Sequence, residues 1–215
     1  MRVIGIDVGS RHLDAVALDG MGRVTDIRTF AAADAGSVVD WVGPAAAVAI
    51  DSPDDWSTAP HATDATLSPK FRTARCAEIG LARDHGIWVP WTTPVTPQTQ
   101  TWISAGIDLF AALRAAGHDP VEVYPHGVFC VLDLGRRPPP KRTGEGRETR
   151  LRLLDAAGVS ARWHDMSTHD AVDATAAALV ARCHAEGDAI PATCGHDGSA
   201  IWLPTTASAG SRVAG

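Results

Sequence analysis

Four aspartates in this chain lie where their carboxylates could converge on divalent cations. Asp7 and Asp51 each end an apolar run, and each run is typical of a buried strand. Asp170 and Asp173 stand three residues apart at the start of an alanine-rich helical stretch, so they share one helix face. Carboxylate oxygens are the ligands that hard cations prefer. Two such cations about 4 Å apart would activate a water and stabilise the leaving oxygen of a phosphodiester. The four aspartates are therefore candidate metal ligands and candidate catalytic residues.

Each aspartate also has an ordinary structural interpretation. An aspartate at a strand end is more often a turn residue than a ligand. Asp170, near a helix start, is more often a cap or a partner of the helix dipole. Asp173 is harder to explain in this way, because it lies four residues into the helix among alanines, where an unpaired acid near the core is costly. Taken together, the four residues favour a metal site over coincidence.

These acids are positioned by elements that the sequence pattern predicts. Runs rich in valine, isoleucine and leucine, separated by turn residues, predict strands over 2–8, 12–18, 23–30 and 45–51. The first three form an antiparallel meander. The fourth is reached through a helix that ends near residue 42, so we expect it to lie parallel to the first strand and beside it. Asp7 and Asp51 would then meet at one edge of the sheet.

The rest of the chain alternates between helical and extended patterns. Helices are predicted over about 71–85, 100–116, 128–134 and 146–157, and a last helix follows Thr168 and runs to about 186. Short strands are predicted at 121–125 and 201–204. This order predicts an α/β fold with a mixed sheet flanked by helices. We expect one domain over 1–205 with a helical and loop insertion at about 52–118, followed by a flexible tail at 206–215.

A basic strip lies on an otherwise acidic chain. Seven of the 19 basic residues, but two of the 25 acids, fall between Arg136 and Arg152. Within this strip Lys141, Arg147 and Arg150 are candidates to bind the phosphates of a nucleic acid. A solvated loop and helix face explains the strip equally well.

Two further features have competing interpretations. Glu122 lies on a predicted strand and is a candidate substrate-binding residue, as a fifth acid near the metals. The interpretation that we favour is an ion pair with Arg72 or Arg150. A local apolar core explains the four tryptophans in the predicted insertion better than stacking on bases: Trp56, Trp88, Trp91 and Trp102.

Composition limits the class of protein. The 215 residues have an ordinary globular composition, and the net charge of −6 argues against a broadly basic nucleic-acid-binding surface. No apolar run approaches the roughly 20 residues that span a membrane, and no signal segment opens the chain, so we expect a cytoplasmic protein with no membrane partner. The cysteines have no zinc-type spacing, and we expect them to be reduced and mostly buried: Cys76, Cys130, Cys183 and Cys194.

At the acidic motifs the chain resembles a known superfamily. Gly5–Arg11 resembles the opening strand of RuvC-type Holliday-junction resolvases, Val48–Asp51 occupies the place of their second acid, and Asp170–Ala174 resembles their C-terminal helix. The whole chain up to about 205 resembles domain-of-unknown-function family 429, described as predicted nucleases of the RNase H-like superfamily. There are two departures: the second acid is Asp51 rather than glutamate, and His169 stands where the family often has another acid.

This resemblance implies an RNase H-like fold and metal-dependent hydrolysis of phosphodiester bonds. We expect a nuclease that acts on DNA or RNA with Mg²⁺ or Mn²⁺ held by the four aspartates. The oligomeric state, monomer or homodimer, is left open. One alternative is a non-catalytic nucleic-acid-binding or protein-binding module of the same fold. A less favoured one is an ATP-binding, kinase-like protein, because the first strand also resembles a phosphate loop whose families duplicate the fold, and this chain shows no second copy.

Overall fold

The N-terminal strands form a meander joined to a parallel strand. The computed structural model describes residues 1–96, 101–166 and 168–205, so the predicted tail at 206–215 lies outside the described residues. The first four strands are β1 (Arg2–Val8), β2 (His12–Asp19), β3 (Val24–Ala31) and β4 (Ala47–Asp51). β2 runs antiparallel to β1 and β3, and β4 runs parallel to β1, as predicted.

The crossover between β3 and β4 is made by a short helix, α1 (Ala35–Val42). The carboxylate of Asp34 caps it by accepting the backbone N–H of Ser37 at 3.1 Å. Gly43 ends it with a φ of 52°, which glycine adopts at little cost. The buried Val38 and Val42 of α1 face one side of the sheet.

The remaining elements extend the sheet and add helices to both of its faces. They are the helices α2 (Pro69–Arg72), α3 (Cys76–Asp84), α4 (Thr101–Ala115), α5 (Pro125–Leu132), α6 (Gly144–Ala156) and α7 (His169–Glu186), and the strands β5 (Val121–Val123), β6 (Ala189–Ala192) and β7 (Ile201–Pro204). In the described part of the chain, seven strands form one sheet in the order β3-β2-β1-β4-β5-β7-β6. The predicted mixed sheet flanked by helices is confirmed. Residues 52–118, predicted as an insertion, connect β4 to β5 and contain α2, α3 and α4.

Small residues allow α7 to lie directly on the sheet. A Cβ atom on Gly5 of β1 would overlap the backbone of Ala174 and Ala178 in α7. Both alanines are fully buried, so neither surface has side-chain bulk at the crossing. The alanine-rich pattern of α7 therefore brings the start of this helix close to the ends of β1 and β4.

The predicted continuous helix over 71–85 is wrong near its start. Two helices, α2 and α3, are separated by Arg75, whose backbone is extended (φ −75°, ψ 158°). The Glu78 carboxylate accepts the backbone N–H of Arg75 at 3.1 Å and so begins α3 there. The arginine side chain, which is 1% exposed, is turned into the core. Helical periodicity in the sequence does not indicate that this arginine side chain is buried.

The expectation of reduced cysteines is wrong for one pair. The structure joins Cys76, at the start of α3, to Cys194, after β6, as a disulfide across 118 residues of sequence. Their separation gives no spacing signal, since the fold alone brings the two segments together. Cys130 is a buried free cysteine, as expected. Among the described helices, none combines the length and hydrophobicity that a membrane-spanning segment needs.

Candidate active site

The carboxyl ends of β1 and β4 bring the first two candidate ligands together. The Cα atoms of Asp7 and Asp51 are partners in the parallel register. Each of the two carboxyl groups shifts the pKa of the other, so they lie close together. Two ionised carboxylates repel, so the protein disfavours ionisation of both acids together.

Helix α7 adds two further acids over the same edge. The hydroxyl of Thr168 accepts the backbone N–H of Ala171 at 3.1 Å and caps the helix, so Asp170 is not needed as the cap. Asp173 is 4% exposed, and its Oδ2 accepts a hydrogen bond from Lys141 Nζ at 2.6 Å. Asp170 is half-buried and lines the same cavity as Asp173. All four predicted aspartates therefore reach one site.

The acidic cluster is short of positive charge. Burial, followed by the charges of Asp51 and Asp173, raises the pKa of Asp7 well above its ordinary value. Burial, followed by the charge of Asp173, raises the pKa of Asp51 to about 7. Burial also raises the pKa of Asp173, although the charge of Lys141 opposes this. The protein therefore disfavours full ionisation of these acids, a state that a divalent cation would stabilise.

Lys141 contacts the acids directly. Burial disfavours its charge, but the nearby carboxylates, Asp173 first and then Asp7 and Asp51, raise the pKa of Lys141 above its ordinary value. Its side chain is 41% exposed, so the ammonium group lies between the acids and solvent. The predicted phosphate ligand is thus also a counter-ion of the acidic cluster.

The other two basic candidates are anchored to backbone. Arg150 is buried, donates to two carbonyls of the segment 139–146 at 2.8 and 2.9 Å, and lines the cavity. Arg147 donates to the backbone carbonyl of Met166 and lies outside the residues that line the cavity. The structure therefore brings Lys141 and Arg150 to the acids and leaves Arg147 apart from them.

The acids open into a cavity of about 650 Å³ that also has an aromatic lining. The rings of Trp91 and Trp102 pack edge to face, with their centroids 4.9 Å apart. Trp88 is 55% exposed, and the guanidinium of Arg137 lies 4.8 Å from the centroid of its ring. The prolines 138–140 complete this wall. Three of the tryptophans that we predicted as a local core therefore line the candidate site.

Two residues that the sequence analysis missed adjoin Asp170. His12 Nε2 lies 3.6 Å from Asp170 Oδ2 and 3.2 Å from Asp14 Oδ2. Asp14 is buried, is the register partner of Asp7, and accepts a hydrogen bond from the Thr29 hydroxyl at 2.7 Å. The signal was present in β2, where an acid on a strand that is otherwise apolar at its centre needs a partner.

Glu122 has an ion pair with an arginine that the sequence analysis did not select. Both of its carboxylate oxygens accept from the guanidinium of Arg75, at 2.6 and 2.7 Å. Burial disfavours the guanidinium charge, but Glu122, Glu78 and Asp54 raise the pKa of Arg75 above its ordinary value. Arg72, one of the expected partners, instead donates to the backbone carbonyl of Leu67. Glu122 therefore holds β5 to the segment before α3.

A protein-family model matches most of the chain. The model described as "Protein of unknown function (DUF429)" matches residues 5–195. The chain belongs to this family. The match includes all four aspartates, and it confirms the resemblance seen in the motifs. No curated protein matches the chain.

Solved structures of RuvC are similar to this chain at low sequence identity. The Thermus thermophilus RuvC structure covers 87% of this chain and 97% of its own, with a TM-score of 0.47 and 16% identity. T. thermophilus RuvC in complex with Holliday junction substrate covers 94% of this chain and 99% of its own, with a TM-score of 0.48 and 16% identity.

Proposed function

We propose that this protein is a metal-dependent nuclease that hydrolyses phosphodiester bonds of DNA or RNA. Asp7, Asp51, Asp170 and Asp173 would hold Mg²⁺ or Mn²⁺. The observation that carries the proposal is the convergence of these acids from two strand ends and one helix on a single open cavity. Strand-end carboxylates have no structural need to share a site, since their desolvation and repulsion oppose folding.

The donor set fits hard divalent cations. All four side chains offer carboxylate oxygens, which Mg²⁺ and Mn²⁺ prefer over nitrogen or sulfur. The raised pKa values of Asp7 and Asp51 indicate negative charge that the surrounding protein does not compensate. When bound, two divalent cations would supply Lewis acidity for the phosphodiester and lower the pKa of an attacking water.

The remaining residues of the cavity would hold the substrate. Lys141, Arg150 and Arg137 line it, and their charges suit phosphate oxygens. Lys141 could transfer its hydrogen bond from Asp173 to a phosphate once cations compensate the acid, because its side chain is partly exposed. Arg147 and Glu122, predicted to bind substrate, receive structural roles in this proposal because both are engaged outside the cavity lining.

The aromatic wall favours a substrate with unpaired nucleotides. The side chain of Trp88 is 55% exposed although the guanidinium of Arg137 lies over its ring, and bases stack on exposed aromatic rings without sequence preference. The phosphates of a nucleic acid would meet the three cations of this cavity, Arg137, Lys141 and Arg150, although the chain as a whole carries −6. Single-stranded and branched substrates are therefore the first to test.

The test compares cleavage of single-stranded, branched and hybrid substrates with Mg²⁺ or Mn²⁺. Asp7→Asn should lose activity by about 10²-fold or more, since removal of a single group that stabilises the transition state costs this much. Asp40→Asn, an exposed aspartate on α1, should cleave as the wild type does. Equal cleavage by the Asp7 and Asp40 variants would exclude the proposal. Cation binding by calorimetry without cleavage of any substrate would favour the non-catalytic binding module.

A further inference from the structure

A second group of metal-ligating side chains lies outside the acidic cavity. One atom from each of His61, Cys76 and Cys194 lies within 4.8 Å of the others. His61 Nε2 is 3.1 Å from the sulfur of Cys194 and 3.6 Å from that of Cys76. Cys76 is fully buried, and the other two are half-buried. An imidazole and two sulfurs at such distances form a donor set typical of zinc.

Contacts that do not involve sulfur hold the segments of the two cysteines together. His61 belongs to the loop after β4, Cys76 begins α3, and Cys194 lies in the loop between β6 and β7. The Asp197 carboxylate accepts the backbone N–H of Cys76 at 3.0 Å, and the Ser199 hydroxyl accepts that of Ala77 at 3.0 Å. The loop between β6 and β7 is therefore fixed over the first turn of α3, and the cysteines would stay neighbours if their disulfide were reduced.

The surroundings favour thiolates once the cysteines are reduced. The backbone N–H of His196 donates to the sulfur of Cys76 at 3.3 Å, a contact that stabilises a metal-bound thiolate. Cys76 also occupies the first position of a helix of nine residues, and the partial positive charge of a helix N-terminus stabilises a thiolate. The exposed ring of His196 packs on that of His61, with the centroids 4.9 Å apart.

We propose that in the reduced protein His61, Cys76 and Cys194 bind one Zn²⁺ ion. A thiol or phosphine reductant first supplies two electrons, and two protons complete the two thiols. Zn²⁺ then displaces one proton from each thiol and accepts a lone pair from the neutral imidazole. The ion would fasten three segments that are distant in sequence. This proposal is independent of the nuclease proposal, since none of its ligands lines the acidic cavity.

The experiment measures zinc in the full-length protein, treated with a phosphine reductant and a chelator and then freed of both. The expected result is one Zn²⁺ per chain by titration, and a thiolate-to-metal charge-transfer absorption when Co²⁺ replaces Zn²⁺. Cys76→Ser and His61→Ala should each weaken zinc binding by at least about 100-fold. Loss of a residue that only hydrogen-bonds to a metal ligand already lowers metal affinity by up to about 100-fold, and loss of the ligand itself lowers it further.

Two control variants separate this site from other thiols and from the acidic cluster. Cys130→Ser removes a buried free cysteine, and Asp7→Asn alters the acidic site; both should keep full zinc binding. Circular dichroism shows whether each variant is folded, and His61→Ala, in a loop, tests the site if Cys76→Ser fails to fold. Reduced, folded wild-type protein that takes up no more zinc than the His61 variant would overturn the proposal. Loss of zinc in the Asp7 variant would also overturn it, because the ion would then lie among the aspartates.

Discussion

Lys141 is the residue whose position most directly sets the charge of the acidic site. Its ammonium group donates to Asp173 and lies near Asp7 and Asp51, so one positive charge faces three acids. A divalent cation bound at these acids would compete with it for the same carboxylate oxygens. Lys141 therefore has two expected effects of opposite sign, one on cation affinity and one on substrate binding.

Replacing Lys141 should separate these effects. Lys141→Met removes a repulsive charge from the site, so Mn²⁺ should bind more tightly, by several-fold or more. Cleavage should fall, because a phosphate loses a cationic partner. The metal-free variant should lose about 1–2 kcal/mol of unfolding free energy, less than a fully buried pair would cost, because the lysine is 41% exposed.

Calorimetry with Mn²⁺, cleavage rates and denaturant unfolding measure the three expectations. Arg142→Met is the matched control, since it removes the neighbouring, exposed cation. Mn²⁺ affinity that falls in the Lys141 variant would show that this lysine supports the cation site instead of competing with it.

Glu122 shows how a single residue can be assigned to the wrong partner. It was correct to expect an ion pair, because a buried carboxylate on a central strand needs one. The partner, Arg75, was hidden by a pattern that predicted a continuous helix through it. Arg75 is turned inward by an extended backbone at a helix start, and such a turn depends on tertiary contacts with Glu78 and Glu122.

At the scale of elements, the crossing of β1 and α7 determines where the helix acids lie. Gly5→Ala would place a methyl group against the backbone of Ala174 and Ala178, neither of which can move without shifting α7. We expect a loss of about 1–3 kcal/mol of unfolding free energy, as for other overpacked cores. Cleavage should fall as well, because Asp173 lies on the same stretch of helix, and displacement by about 1 Å can cost about 10²-fold in rate.

Gly36→Ala is the control for this crossing. Gly36 lies in α1, and a Cβ atom there would meet nothing within 4 Å. Alanine in a helix is favoured over glycine by up to about 1 kcal/mol, so this variant should be as stable as the wild type or more so. Unfolding in denaturant and cleavage rates measure both variants. A Gly5 variant with wild-type stability would contradict the close packing of α7 on β1.

The elements that carry the acids could be predicted from sequence, and their other partners could not. β1 and β4 are apolar runs that end in an acid, and α7 has a threonine cap and alanines along its length, so local pattern places Asp7, Asp51, Asp170 and Asp173. His12 with Asp14 and Cys76 with Cys194 meet through strand pairing and loop packing. For such a pair, the sequence around one residue does not predict that the other is its partner.

Over the whole molecule, the buried acids should make the metal-free protein less stable as pH rises. The pKa of Asp51 is raised to about 7 in the folded protein, and that of Asp7 is also raised, while both titrate near their ordinary values when unfolded. Between these values the folded state holds more protons than the unfolded state. The unfolding free energy of the metal-free protein should therefore fall as pH rises from about 4 through about 7.

Divalent cations should reverse this trend, because they bind the ionised carboxylates and replace the protons. Thermal unfolding at about pH 5 and about pH 8, with and without Mg²⁺, measures the effect, and stabilisation by Mg²⁺ should be larger at the higher pH. Other groups titrate in this range, so the comparison that isolates the site is with Asp51→Asn. That variant should show a flatter pH dependence and a smaller response to Mg²⁺. If it instead keeps the full pH dependence of the wild type, the acids at the ends of β1 and β4 do not titrate as the geometry requires, and the argument for an uncompensated charge at this site fails.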